Sequence, residues 1–184
     1  MNHIMIDLET MGTGSDAAII AIGAVSFSFN ETDGIIDRFY EVIDLQSSMD
    51  LGLTVDASTI LWWMKQKKEA REEFTDTKVP KSDIKVALQN FTNWMSKLRM
   101  DSVEYSIDVW GNGAAFDNVI LANAYKAAKM PVPWRLWEDK CYRTVKNMNS
   151  SVEFTRVGVH HNALNDAESQ ALHLISILNG DTKQ

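Results

Sequence analysis

Hydrophobic and polar positions change their period several times along the chain. Residues 3–9, His-Ile-Met-Ile-Asp-Leu-Glu, form an apolar run ending in alternation, and residues 18–29 form a second run, rich in β-branched side chains. Both predict strands. Asn30 to Gly34 reads as a turn and Arg38 to Ile43 as a third strand, so short connections predict an antiparallel meander. From Asp56 the period becomes helical, with Ala57, Ile60, Leu61 and Met64 on one stripe, Trp62 and Trp63 beside it, and Lys65, Lys67, Lys68 and Arg71 following. Thr75 to Lys81 is a loop, and Ser82 is placed to cap a helix running to Leu98 with Ile84, Leu88, Phe91, Trp94, Met95 and Leu98 on its apolar face.

Tyr105 to Trp110 predicts a fourth strand, followed by small residues and a helix that carries Asp117 in its first turn. Pro131, Pro133, Trp134 and Trp137 mark a loop with room for a short strand before an amphipathic segment from Cys141 to Met148. The last helix is predicted over Asn162 to Asn179, stopped by Gly180, with Leu164, Ala167, Ala171, Leu174, Ile175 and Leu178 as its buried stripe. Strands first, then strands alternating with helices, predict an α/β fold.

A chain of 184 residues supports one domain, residues 1–184, with a substantial core. The apolar run from Ala17 to Phe29 is too short to span a bilayer, and no basic segment precedes an apolar leader, so no membrane partner and no signal peptide are expected. The single cysteine, Cys141, leaves no intrachain disulfide, which fits a cytoplasmic location. The net charge of −7 argues against a polyanionic partner until its distribution is considered. Residues 1–60 hold ten acids against the single base Arg38, whereas residues 61–184 hold seventeen bases against fifteen acids. Bound cations in the acidic part would cancel that charge locally.

Asp7 and Glu9, spaced i and i+2, share one side of a strand. Like charges this close repel, and such a pair usually needs a cation. Gly12 to Ala17 fits the dinucleotide pattern GxGxxA, but a strand follows where that fingerprint must open a helix, which argues against a nicotinamide site. Asp117 has an innocent role as an acid favoured by the helix dipole. His161 just precedes the last helix, and Asp166 lies one position from its stripe. Each has a structural explanation singly; four carboxylates and an imidazole together point to metal-assisted chemistry. Trp62 and Trp63 are open to three roles: core packing, stacking on a nucleobase, or facing a second copy in a homodimer.

Asp7-Leu8-Glu9-Thr10, the segment from Asn112 to Phe116-Asp117, and His161-Asn162-Ala163-Leu164-Asn165-Asp166-Ala167 resemble the three motifs of the DEDDh 3′-to-5′ exonucleases. His160 is adjacent, but only His161 has the motif spacing. Ser58 to Trp63, with Gln66 and Glu69-Ala70-Arg71, is similar to the phage and prophage exonucleases of the DexA type. The resemblance implies a ribonuclease H-like single domain whose mixed five-stranded sheet has three antiparallel strands, then parallel ones, flanked by helices. It implies that Asp7, Glu9, Asp117 and Asp166 hold two divalent cations, Mg²⁺ or Mn²⁺, and that His161 is the general base. Thr10, Met11, Gly12, Asn112, Phe116, Trp62 and Trp63 are the implied substrate contacts. The expected activity is release of nucleoside 5′-monophosphates from single-stranded 3′ ends, DNA before RNA. The alternatives are an exoribonuclease with the same mechanism, and a catalytically silent nucleic-acid-binding module.

Overall fold

The computed structural model describes residues 2–29, 34–100 and 106–180. Strand β1 (Asn2–Thr10) lies at the centre of a five-stranded sheet with β2 (Ile19–Phe27), β3 (Ile35–Val42), β4 (Ile107–Gly111) and β5 (Asp139–Cys141) in the order β3-β2-β1-β4-β5. β1 and β2 are antiparallel, as are β2 and β3, while β1, β4 and β5 run parallel. This is the mixed sheet that the resemblance implies. The predicted start of the fourth strand at Tyr105 and the turn residues 30–33 lie outside the described residues.

Helices cover both faces of this sheet. Ile4, Ile6 and Leu8 of β1 enter the core that includes α4 (Ile84–Met100) and α5 (Asp117–Ala127). Met5 points the other way, into a cluster with Tyr142 of α6 (Tyr142–Met148) and with Ala167, Ala171 and Leu174 of α7 (Ala163–Asn179). All nine residues of β2 are buried in consequence, because alternation exposes a strand only where one face is open. The ladder between β1 and β4 ends at Ile6 and Gly111. Asp7 to Thr10 therefore project beyond the end of β4, on the carboxyl side of the parallel strands where α/β sheets carry their sites.

Four local expectations are corrected. Asp83, not Ser82, caps α4: its carboxylate accepts from the Lys85 amide at 2.8 Å, while the Ser82 backbone bridges to Val42 and Asp44. The helix predicted from Asp56 breaks at Lys65–Lys67 into α2 (Ala57–Met64) and α3 (Lys68–Thr75). On α2 the buried residue is Trp63, 3% exposed, whereas the apolar stripe faces outward, with Leu61 at 57% and Met64 at 65%. One short helix at the end of a sheet offers only one side chain to the core, and Trp63 takes that place. On α7, Ile177 is buried where Leu178 was expected. Among the described residues no helix is long and apolar enough to cross a membrane.

Candidate active site

The floor of the site depends on two close approaches between helix and sheet. Gly23 of β2 pairs with Asp7, and a Cβ on Gly23 would lie 2.2 Å from the Ala163 carbonyl carbon. Hydrogen at that position lets the first turn of α7 rest directly on the sheet beside Asp7. Asn162 caps this helix, its side-chain oxygen accepting from the Asn165 amide at 3.0 Å, which sets Asp166 one turn in. On the other side, a Cβ on Gly111 would stand 2.3 Å from the Asn118 side-chain oxygen, so α5 can start against the end of β4. Asp117, its first residue, then accepts from the Leu8 amide at 3.3 Å, a donor on the stretch of β1 that β4 no longer reaches.

One oxygen from each of Asp7, Glu9 and Asp166 falls within 4.8 Å of the others. Asp117 lies outside this trio but lines the same cleft, of about 260 Å³. Burial, followed by the charges of Asp117, Glu9 and Asp166, holds the Asp7 carboxyl well above the usual carboxylate range. Burial, then Asp166, Asp117 and Glu73, pushes Glu9 up to about 8, and burial pushes Asp117 up to about 7. The Gln170 amide donates to Asp7 at 2.7 Å. Glu9 Oε1 is buried with no hydrogen-bond partner. Buried, mutually repelling oxygen donors, one of them unpartnered, fit a hard divalent cation.

A wall rises over this floor. Phe116, Leu8 and Glu9 are shared between the acidic cleft and an apolar slot of about 420 Å³, lined further by Thr10, Gly12, Thr13, Ser58, Thr59, Trp62 and Trp63. The Trp63 indole N–H donates to the Thr10 carbonyl at 2.9 Å, while Trp62 is 42% exposed and packs edge-on to His161, with the ring centres 4.8 Å apart. The Thr10 hydroxyl donates to the Gly12 carbonyl at 2.8 Å. Met11 is buried in the core and does not line the slot. Asn112 lines the acidic cleft, and its carbonyl accepts from Arg143 at 2.7 Å. His161 is half-buried at φ 64° in a turn, and burial together with neighbouring His160 lowers its pKa, favouring a neutral ring at pH 7.

The sequence reading did not single out three residues that hold these groups. Arg156 forms an ion pair with Asp166, whose other oxygen accepts from the His161 amide at 3.0 Å. Glu73 on α3 accepts from the Tyr40 hydroxyl and from the Asn162 side chain at 2.9 and 3.0 Å, which ties α3 to the cap of α7. Gln170, the donor to Asp7, completes the set. Only Gln170 had a local signal, standing four residues after Asp166 on the same helix face.

Known proteins resemble this chain in both sequence and fold. A sequence profile described as "3′-5′ exoribonuclease Rv2179c-like domain" matches residues 2–178. An exodeoxyribonuclease of Enterobacteria phage T4 is 29% identical over 131 residues, 67% of this chain and 55% of that protein; the chain thus spans about half the length of the relative it matches. The nuclease domain of 3′hExo, a DEDDh protein solved with rAMP, superposes with a TM-score of 0.66 at 15% identity, over 98% of this chain and 93% of that one. Escherichia coli exonuclease I, solved with a dA16 oligonucleotide, gives 0.58 at 12% identity, over 99% and 41%. The motifs, the sheet and the profile agree: the chain belongs to the Rv2179c-like 3′-5′ exoribonuclease domain family.

Proposed function

We propose that this chain, as a single domain over residues 1–184, removes nucleoside 5′-monophosphates one at a time from single-stranded 3′ ends, DNA before RNA. The observation that carries the reading is the convergence of Asp7, Glu9 and Asp166 within 4.8 Å of one another, beside an apolar slot open to solvent. Asp7, Glu9 and Asp166, with Asp117 at the edge, would hold two divalent cations, Mg²⁺ or Mn²⁺. Bound there, such ions supply charge stabilisation to the attacking and leaving oxygens of the phosphodiester. The terminal base enters the slot between Phe116 and Trp62, with Thr10, Gly12 and Asn112 near the sugar and phosphate. His161, neutral near pH 7, accepts the proton of the attacking water as the bond to the 3′ oxygen breaks. The products are a nucleoside 5′-monophosphate and a strand shortened by one, ending in a 3′-hydroxyl.

The phage relative supports DNA, being an exodeoxyribonuclease. RNA is the second reading, favoured by the exoribonuclease description of the profile. Paired DNA and RNA oligonucleotides of one sequence, labelled at the 5′ end, test both with Mg²⁺, Mn²⁺ and chelator. Metal-dependent ladders with monophosphate release on DNA, slower on RNA, are expected. Intact substrates alongside a working control enzyme would sink the exonuclease reading.

A further inference from the structure

Asp166 belongs to two clusters. Besides the carboxylate trio, it shares a second one in which a ring nitrogen of His160, a ring nitrogen of His161 and a carboxylate oxygen lie within 4.8 Å of one another. Consecutive side chains in a strand or helix point apart. Here the two rings stack at 3.7 Å and 25°, because His161 takes the left-handed backbone at φ 64°, a conformation disfavoured for a residue with a Cβ. The surroundings hold it there: its amide donates to Asp166 at 3.0 Å, Trp62 packs an edge on its ring, and the cap Asn162 follows at once. The pair is reached from two sides, from the acidic cleft and from a second cleft of about 420 Å³ lined by Gln66, Lys67, Gly158 and Val159.

Two imidazoles and one carboxylate match Mg²⁺ poorly and match Zn²⁺ and its d-block neighbours well. Tetrahedral zinc ligands at bond lengths of about 2.1 Å stand about 3.4 Å apart. The exposed His160 side chain has the freedom to close that distance.

We propose that His160, His161 and Asp166 form an inhibitory site for Zn²⁺ or a similar transition ion. The proposal rests on the reading above, in which His161 accepts the proton and Asp166 belongs to the hard-cation site. Zinc on the His161 nitrogen occupies the lone pair that would take the proton, and on Asp166 it withdraws an oxygen from the carboxylate trio. Because divalent affinity at nitrogen-containing sites rises steeply toward the end of the first transition row, trace zinc stops hydrolysis in the presence of excess Mg²⁺.

The test compares the full chain with its His160→Asn variant, which changes an exposed side chain and leaves the carboxylates in place. Co²⁺ serves as the spectroscopic stand-in for zinc. In the parent protein, visible absorption of nitrogen-ligated, low-coordinate Co²⁺ is expected. His160→Asn should lose it and bind Zn²⁺ at least about tenfold more weakly in competition with a chromophoric chelator. In Mg²⁺, the zinc concentration that halves nuclease activity should rise by a similar factor. Identical cobalt spectra and identical zinc affinities in the two proteins would overturn the proposal and place the ion in the carboxylate trio. If the parent shows no nuclease activity with Mg²⁺ or Mn²⁺, the exonuclease reading fails, and the spectra and affinities alone decide whether the site exists.

Discussion

The floor of the cleft comes from β1, the first turn of α5 and the capped first turn of α7, whereas its wall comes from α2, α3 and residues 149–161, and different forces hold the two. Floor groups are buried: Glu9 and Asp166 are each 8% exposed and Asp117 3%. Sheet register and two glycine contacts without room for a Cβ fix their places. The wall is joined to the floor by the buried side chains of Trp63 and Ala70 and by a few polar ties, Trp63 to Thr10, Glu73 to Asn162 and Arg156 to Asp166. Its helix α2 leaves Leu61 and Met64 in solvent. A close-packed floor accepts no displacement, while a tied wall can shift. Under the proposed function, bond cleavage would belong to the floor and nucleotide recognition to the wall, and substitutions should separate into effects on kcat and on KM.

Asp7→Ala tests the floor most severely. Turnover should fall by about 10⁴ or more, since residues that act as a unit fail together. Without divalent metal the variant should melt higher than the parent, because the carboxylate repulsion is relieved; calorimetry with and without Mn²⁺ checks both halves. His161→Ala, at the boundary between floor and wall, should lower kcat by about 10² to 10⁴. Its Mn²⁺ affinity should stay near that of the parent by titration calorimetry, and an equal loss of affinity in both variants would erase the distinction. Gly23→Ala forces a methyl into the Ala163 backbone. It should cost about 1–3 kcal/mol of stability and, by moving Asp166, about a hundredfold in kcat, read from melting and single-turnover assays. A full-strength enzyme would mean that the contact is slack. Trp62→Ala should raise KM about tenfold and change kcat less, as expected for a lost stacking surface.

The smallest effect is on stability against pH. Glu9 and Asp117, at about 8 and about 7, hold protons more tightly in the folded chain than in the unfolded one. Stability from this source is therefore complete below the ordinary carboxylate range and is lost as pH rises from about 4 toward 8. Metal-free melting temperature should drop by about 5 °C across that window. Mn²⁺ should reverse the slope by compensating the ionised carboxylates. A flat profile in both conditions would mean that the floor is wetter than its burial indicates.

Floor and wall also differ in how legible they were. The i, i+2 spacing of Asp7 and Glu9, the apolar runs of the strands and the capped last helix are local patterns, and local periodicity encodes which side of an element a residue occupies. The five-stranded order follows from those elements and the resemblance. The wall depends on encounters between segments far apart in the chain. Nothing near Glu73 announces Asn162 or Tyr40, and Arg156 sits in a loop without period. The outward face of α2 misled for a related reason: an apolar stripe predicts burial only where a partner surface meets it. The break at Lys65–Lys67 carries neither Gly nor Pro, the usual punctuation of a helix end.

The hydrogen bond from Gln170 to Asp7 joins residues 163 positions apart. During synthesis β1 emerges long before α7, and the sheet closes on its parallel side only after β4 has been made. A growing chain thus carries Asp7 and Glu9 without their partners until α7 settles onto Gly23. The acidic cleft is therefore complete only once α7 has been made, and under the proposed function a nascent chain that stops short of α7 would lack hydrolytic power.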